Sequence, residues 1–274
     1  MRPFAHSFLV LLQQVAVGGL FALAAAPFHE LERGFFKSTA AVLFLFGLLS
    51  VWGQIEIYGA ALWKAPDGLL ELAVQAAFLV CFGLYLFSLW GERVYFRARV
   101  FSLALFAGLG SLVLNSLNFH RAPLWSIESL LYPLSFFVSA LLLGAVTVGM
   151  LIGHWYLIDA GQSLAPLIRM FRFFVASLVL QTAFLLVFPP LLYFLGSPAS
   201  LESMTRLLSE HPILLAARLT VAQGAPLVIS YMIWRTLKIP HTMAATGLFY
   251  VAMLGVFVGE ILGRQILALT ALPF

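Results

Sequence analysis

The sequence is poor in charge: Asp, Glu, Lys and Arg make up only 9% of its 274 residues, whereas hydrophobic residues make up 62%. Soluble domains carry roughly 25% charged residues, and the mean hydropathy here is +1.02. This composition excludes an ordinary soluble protein and predicts an integral membrane protein. No polar stretch is long enough for a separate soluble domain, so residues 1–274 are predicted to form one polytopic transmembrane domain.

The chain has a single cysteine, Cys81, inside an apolar run. One cysteine excludes a disulfide framework, and this chain alone cannot supply a cysteine-ligated iron–sulfur or zinc site. We interpret Cys81 as a small buried residue. The net charge of +4 does not indicate nucleic-acid binding, because basic residues at membrane edges set topology.

Apolar segments of roughly 20 residues, the length that crosses a bilayer, recur along the whole chain. The first contains Gln13 and Gln14 and continues too far for a signal peptide, so it is predicted to be a retained span. The Pro189-Pro190 pair is expected to kink or interrupt the sixth span. The eight predicted spans of this all-α helical bundle are Phe8 to Phe28, Thr39 to Tyr58, Leu69 to Trp90, Val100 to Asn118, Leu130 to Ile158, Phe173 to Leu195, Pro212 to Trp234 and Met243 to Leu269.

Basic residues are distributed unequally between the two sets of connections. Lys and Arg are enriched in cytoplasmic loops, so both termini are predicted to lie outside, in the periplasm of a Gram-negative cell, with the chain in the inner (cytoplasmic) membrane. One side carries Arg33, Lys37, Arg93, Arg97, Arg99, Arg169, Arg172, Arg235 and Lys238, and the other carries Arg2, Lys64, Arg121 and Arg206.

Amide and charged side chains inside a span are costly in hydrocarbon, so each is a candidate for function. With the predicted orientation, six of the eight spans place such groups in the outer half of the membrane. These groups are Gln13, Gln14, Gln54, Glu56, Glu71, Gln75, Asn115, Asn118, Arg218, Gln223, Glu260 and Arg264.

Glu260 and Arg264 stand four residues apart in "GEILGR". This spacing puts them on one helix face and predicts an ion pair. Arg218, early in the seventh span, is a second cation at similar depth. A functional site and a structural salt-bridge network that joins the last two spans are both compatible with this pattern.

Glu71 opens the third span and has no basic residue nearby on the same helix face. A buried carboxyl group without a cation is a candidate proton acceptor. The alternative is an interfacial acid that remains in water.

A second polar set is predicted at the inner side: His29, Glu30, His154, Asp159, Gln162 and His241. His29 and His154 form the one attractive pair for haem b between helices, whereas no short His/Cys/Asp spacing indicates zinc.

In "GHWYLID", Trp155 and Tyr156 are typical of an aromatic belt. His154 is a candidate for the cytoplasmic entrance of a proton pathway. The alternative is a structural role, in which this stretch is only an aromatic belt that anchors the chain at the membrane surface and the end of a helix.

Several short motifs carry a family resemblance. They are "LLQQVAVGGLF" in the first span, "SVWGQIEIYG" at the end of the second, and "GEILGR" near the C-terminus, together with Glu71 opening the third span and Arg218 early in the seventh. With these motifs and eight spans with both ends outside, the chain resembles the quinol-binding membrane anchor subunits of molybdopterin oxidoreductases. This family comprises the dimethyl sulfoxide reductase anchors and the polysulfide reductase (NrfD-type) subunits.

The resemblance implies a quinone site, for menaquinone or ubiquinone, near the outer face. It also implies a docked iron–sulfur or other redox subunit and no haem within the anchor. Glu71 or Glu56 would be the proton acceptor, since a quinol needs a carboxylate or imidazole to take each proton. His154, predicted at the inner side and outside the family motifs, is a further candidate cofactor-binding residue. The residues implied to surround or support the site are Gln14, Glu56, Tyr58, Glu71, Arg218, Glu260 and Arg264.

Three other hypotheses remain open. A haem b cytochrome would use His29 and His154 as ligands. A small-solute transporter or assembly factor would bind another substrate at the membrane midplane. A structural anchor without catalysis would need its buried ions only for packing.

Overall fold

The computed structural model describes residues 2–59, 66–120, 122–123, 125–158, 163–239 and 241–274. Within these ranges the chain is mostly α-helical and contains no strand. One segment, Thr220–Gly224, is π-helical. The helices are α1 (Arg2–Ala25), α2 (Arg33–Tyr58), α3 (Pro66–Ser88), α4 (Val94–Leu117), α5 (Glu128–Ile158), α6 (Ala165–Leu195), α7 (Pro198–Glu210), α8 (Pro212–Leu219), α9 (Ala225–Leu237) and α10 (Thr242–Thr270).

In the described part of the chain, eight helical segments are long and apolar enough to cross a membrane. They are α1 to α6, α10, and the combined segment of α8, the π segment and α9, which spans Pro212–Leu237. Large apolar side chains project outward: Phe87, Phe106 and Leu186 are 72–75% exposed. These features confirm the predicted all-α bundle of eight spans, whose outer surface contacts lipid.

Helices α1 and α5 form the centre of the bundle. In their most apolar stretches, 72% of α1 and 83% of α5 is buried, against 28–39% for the other six spans. The two helices cross at Gly18 and Gly144, where a Cβ on Gly18 would lie 1.6 Å from the carbonyl oxygen of Ala140. Small residues at such a crossing allow close helix approach in membranes. Side chains of the first span therefore lie in the interior.

The beginning of α1 and the end of α10 meet at one end of the bundle, where the Ser7 hydroxyl donates to the carbonyl oxygen of Arg264 at 3.1 Å. We call this the terminal end. The opposite end, the basic end, carries Arg33, which pairs with Glu92 at 2.8 Å. Hydrogen bonding and attraction from Arg33 lower the pKa of the exposed Glu92 carboxyl. The assignment of the terminal end to the outside stays a prediction from the distribution of basic residues.

The interruption expected at Pro189 and Pro190 is not where the helix breaks, because α6 continues through both prolines to Leu195. Each proline removes one backbone hydrogen bond, but the neighbouring Phe188 and Leu192 are fully buried, and their packing holds the helix together. The irregular segment lies instead in the seventh span, as the π turn Thr220–Gly224.

Helix α7, between the sixth and seventh spans, lies where the sequence predicted only a connection. Its start is stabilised by Ser197, whose Oγ accepts a hydrogen bond from the Ser200 backbone N–H at 3.4 Å, and by Pro198 in the first turn. Glu128, at the start of α5, ties this segment to the bundle by accepting hydrogen bonds from the Ser197 N–H (2.6 Å) and the Ser200 hydroxyl (2.8 Å).

Candidate functional site

Three ionic side chains form a buried cluster in the terminal half of the bundle. The Oε1 atom of Glu260 accepts from Arg218 Nη2 at 2.7 Å, and its Oε2 accepts from Arg264 Nη2 at 3.3 Å. None of the three is more than 1% exposed. The predicted pair of Glu260 and Arg264 is therefore confirmed, and Arg218 binds the same carboxylate.

A chain of amides and hydroxyls extends this cluster across the bundle. Gln181 of α6 donates from Nε2 to Glu260 Oε1 at 2.6 Å and lies 3.1 Å from the Ser139 hydroxyl of α5. Gln223 donates to Gln181 Oε1 at 2.8 Å, and the Thr182 hydroxyl donates to Gln223 Oε1 at 2.7 Å. The network joins α5, α6, the seventh span and α10, and such connected polar groups rigidify a core.

Glycines in α10 make this arrangement possible. A Cβ on Gly259 would lie 2.0 Å from the Cβ of Ala222 in the π segment. One turn later, a Cβ on Gly263 would lie 2.9 Å from Arg218 Nε. The seventh span and its arginine therefore lie directly against the backbone of α10, and the π segment itself carries Gln223 into the network.

The cluster carries one excess positive charge, since two guanidinium groups face one carboxylate and arginine stays protonated in proteins. Among the described residues, Nε and Nη1 of both Arg218 and Arg264 have no hydrogen-bond partner. The face of the Phe136 ring lies 5.0 Å from the Arg264 guanidinium, and such cation–π contact offsets part of the cost of burying the charge.

Glu71 belongs to a different cluster, on α3. Its Oε1 accepts from Gln75 Nε2 at 3.1 Å, and its Oε2 accepts from Asn118 Nδ2 at 2.7 Å. Glu71 is 6% exposed, whereas Asn118 is exposed where α4 ends. The carboxyl group is thus buried beside a polar group that reaches the surface of the terminal end.

Two neighbouring glutamines of α1 fill the space inside the bundle at this level. Gln13 donates to the Ser111 hydroxyl of α4 at 2.9 Å, and Gln14 donates to the carbonyl oxygen of Phe136 in α5 at 2.8 Å. Both glutamines are fully buried. Gln14, a predicted site residue, therefore contacts the same residue whose ring faces Arg264.

The remaining site residues predicted at this end lie near the end of α2. Glu56 is exposed on the surface of that helix, and Tyr58 is half-buried two residues later. The structure thus brings Arg218, Glu260 and Arg264 together, keeps Glu71 in a separate cluster with Gln75, and leaves Glu56 outside both.

His154 lies near the basic end of α5, fifteen residues beyond Ser139 and hence roughly 22 Å along the helix from the ionic network. Its side chain is exposed, and its Nδ1 lies 3.0 Å from the Tyr250 hydroxyl. His29 is also exposed, next to the ring of Phe28. Asp159 and Gln162 lie outside the described residues, within which no group of three or more His, Cys, Asp or Glu could hold a metal ion.

Gln181 and Ser139 are two buried polar residues of the network that sequence reasoning missed. Gln181 stands alone in the apolar run "SLVLQTAFLL", and the rule that amides in hydrocarbon mark candidate sites would have found it. With these two residues, every span contributes to the polar layer. Its contributors include Gln13, Gln54, Gln75, Asn115, Ser139, Gln181, Gln223 and Glu260.

No family model, curated protein or solved structure matches the chain. The fold and the buried side chains define it as a multi-pass α-helical membrane protein with a polar layer inside its terminal half. This layer contains one fixed ionic network and one carboxyl group, Glu71, whose hydrogen-bond partners among the described residues are neutral amides, and it is the basis for a functional proposal.

Proposed function

We propose that the protein is a membrane subunit of a respiratory oxidoreductase that binds quinone or quinol near the outer membrane face and exchanges electrons with a partner redox subunit. The setting of Glu71 carries this proposal. Within the described part of the chain, its hydrogen-bond partners are two neutral amides, Gln75 and Asn118. A buried carboxyl group with neutral partners can gain or lose a proton without breaking an ion pair.

Oxidation of a bound quinol to quinone releases two protons and two electrons, and the electrons leave through the partner's redox centre. The Glu71 carboxylate accepts the first proton and passes it to water at the exposed Asn118. It is then ionised again and accepts the second proton. In the reverse direction Glu71 takes each proton from water at Asn118 and delivers it to quinone.

Other buried groups at this end are suited to the ring and its tail. The Gln54 amide nitrogen, a donor, and the Gln75 amide oxygen, an acceptor, are buried without partners among the described residues. A donor suits a quinone carbonyl and an acceptor suits a quinol hydroxyl. The apolar faces of the helices suit the long tail of menaquinone or ubiquinone.

The proposal includes a partner redox subunit. One cysteine cannot ligate an iron–sulfur cluster, so electrons taken from quinol need an acceptor supplied by another protein. In the proposed assembly, an iron–sulfur or other redox subunit docks at the terminal end, outside the inner membrane. The Arg218–Glu260–Arg264 cluster acts as a positioning network that fixes the last two spans, and it takes no proton.

Quinol oxidation by the purified complex tests the role of Glu71. Glu71→Gln keeps the size and polarity of the side chain but cannot accept a proton, so we expect kcat to fall by about 100-fold or more, with quinone still present in the purified sample. Glu202→Gln, at an exposed acid of α7, is the matched control and should oxidise quinol at the wild-type rate.

Two results would contradict parts of the proposal. A Glu71→Gln complex that works as fast as the control removes Glu71 as the proton acceptor. A wild-type complex from which no quinone can be extracted removes the quinone site itself. A haem α-band in the reduced minus oxidised spectrum of the same sample would favour the cytochrome hypothesis instead.

A further inference from the structure

A cavity of about 530 Å³ lies at the basic end of the bundle, between the end of α1 and the beginning of α4. Its floor contains Phe36, Tyr85 and Arg97, which are 1%, 4% and 6% exposed. Its rim includes His29 and Ala98, which are both exposed. The volume is typical of ligand sites, which measure roughly 300–1,000 Å³. The cavity is mainly apolar, with a cation at its floor.

Arg97 is held in place but is not neutralised. Its Nη2 donates to the carbonyl oxygens of Gly91 at 2.6 Å and Ser88 at 3.4 Å. Its guanidinium carbon lies 5.0 Å from the ring centroid of Phe28. Within the described residues, its Nε is buried without a partner. Carbonyl groups orient the guanidinium, and no carboxylate of the described residues forms a salt bridge with it.

The acid that lies closest in sequence, Glu92, attracts Arg97 through space but makes its salt bridge with another residue. Glu92 pairs instead with Arg33, through two hydrogen bonds of 2.8 and 2.9 Å. Arg33 also lines the cavity, so two cations and one carboxylate occupy this region. The region carries an excess positive charge directed at an open space.

Tyr85 supplies a second polar group at the floor. Its hydroxyl makes no hydrogen bond to any other residue in the described ranges, although its ring packs against Phe101 with centroids 4.8 Å apart. A hydroxyl can donate to an oxyanion. A cation and a free donor thus share one apolar cavity at the membrane edge.

We propose that this cavity binds an anionic phospholipid, whose phosphate contacts Arg97 and Tyr85 and whose acyl chains follow the apolar lining into the membrane. Basic pockets between transmembrane helices recognise anionic headgroups in this way. A free phosphate ion would leave the apolar lining unfilled, and a neutral quinone would leave the charge of Arg97 uncompensated. This site is independent of the proposed quinone site, which lies at the other end of the bundle.

Native mass spectrometry of the full chain in detergent tests the proposal, with phosphatidylglycerol and phosphatidylcholine added in equal amounts. We expect the wild-type chain to retain phosphatidylglycerol preferentially. Arg97→Gln should reduce this preference about fivefold, because one basic residue near the membrane contributes about 1 kcal/mol. Arg99→Gln changes the same charge at an exposed position two residues later on α4, and should keep the preference.

A second variant keeps every charge and fills the cavity. Ala98→Trp places an indole at the exposed rim, so it should abolish lipid retention without disturbing the core. It also decides the test if Arg97→Gln fails to fold.

Each contrary outcome overturns the proposal. Equal losses in Arg97→Gln and Arg99→Gln would mean general surface attraction. Unchanged retention in Ala98→Trp would mean that the lipid binds elsewhere. Displacement of the lipid by an equal concentration of inorganic phosphate, or by a neutral quinone, would identify a different ligand class.

Discussion

Glu71 and Glu260 both lie in the polar layer of the terminal half, yet they are different chemical groups. Glu260 stands between two guanidinium groups, whereas the hydrogen-bond partners of Glu71 among the described residues are the amides of Gln75 and Asn118. A carboxylate between two cations is fixed in its ionised form, whereas a carboxyl group among neutral dipoles can change its protonation state. In the function proposed above, these surroundings give Glu260 a structural role and Glu71 the role of proton acceptor.

Removal of the Glu260 charge should destabilise the protein strongly. Glu260→Gln leaves Arg218 and Arg264 buried without an anion, so we expect the free energy of unfolding to fall by about 3–5 kcal/mol. Thermal unfolding in detergent measures the effect.

The control for this prediction is Glu210→Gln, which breaks an exposed pair with Arg206 and should cost less than about 1 kcal/mol. If both variants unfolded at the same temperature, the buried pairs would not stabilise the fold.

At the residue scale, the sequence predicts contacts within one helix better than contacts between helices. The pair of Glu260 and Arg264 follows from a spacing of four residues. The contact of Gln181 with Glu260 joins residues 79 apart in the chain, and it depends on which helices are neighbours. The sequence shows that Glu71 has no basic neighbour on its own helix. Its hydrogen bond to Asn118, however, depends on which helices pack together.

Among the elements, α10 and the π segment make an unusually close contact. We expect Gly259→Ala to lower the free energy of unfolding by about 1–3 kcal/mol, because the added methyl group would overlap Ala222. Thermal unfolding of the purified protein checks this value.

Gly247 lies on the same helix and provides the matched control. A Cβ there meets nothing within 4 Å, so Gly247→Ala should raise the free energy of unfolding by about 0.5–1 kcal/mol through helix propensity. A Gly259→Ala protein as stable as the Gly247→Ala protein would rule out the close contact.

The sequence predicts the spans well because hydropathy alone determines them. The fifth span, predicted from Leu130 to Ile158, is Glu128–Ile158 in the structure. The π segment "TVAQG" contains no proline and only a final glycine, so local sequence gives little sign of it. Helix α7 is too polar to cross the membrane, so the sequence predicts only a connection between spans there.

For the whole molecule, the distribution of basic residues predicts that the terminal end faces outward. In a Cys81→Ser background, Trp125→Cys introduces a thiol at a fully exposed position of the terminal end, and Gly91→Cys introduces one at an exposed position of the basic end. A membrane-impermeant maleimide should label the Trp125→Cys variant but not the Gly91→Cys variant in intact cells. Both should be labelled in opened membranes, and the reverse pattern in intact cells would invert the topology.

Composition and hydropathy are sufficient to predict the class of the molecule and the number of its spans, but not the arrangement of the helices. The central position of α1 and α5 results from a crossing of small residues, Gly18 and Gly144, and glycines of this kind occur throughout the chain. The separation of Glu71 from the ionic network likewise depends on the order of helices around that centre.

The burial of Gln13 and Gln14 has a consequence for biogenesis. Their partners lie 98 and 122 residues further along the chain, in the fourth and fifth spans. Ribosomes add about 5–20 residues per second, so the first span waits roughly 6 to 24 seconds before the Gln14 partner has been synthesised. During this interval its amides must be sheltered from lipid at the insertion machinery. Assembly of the bundle is therefore timed by the arrival of the fifth helix.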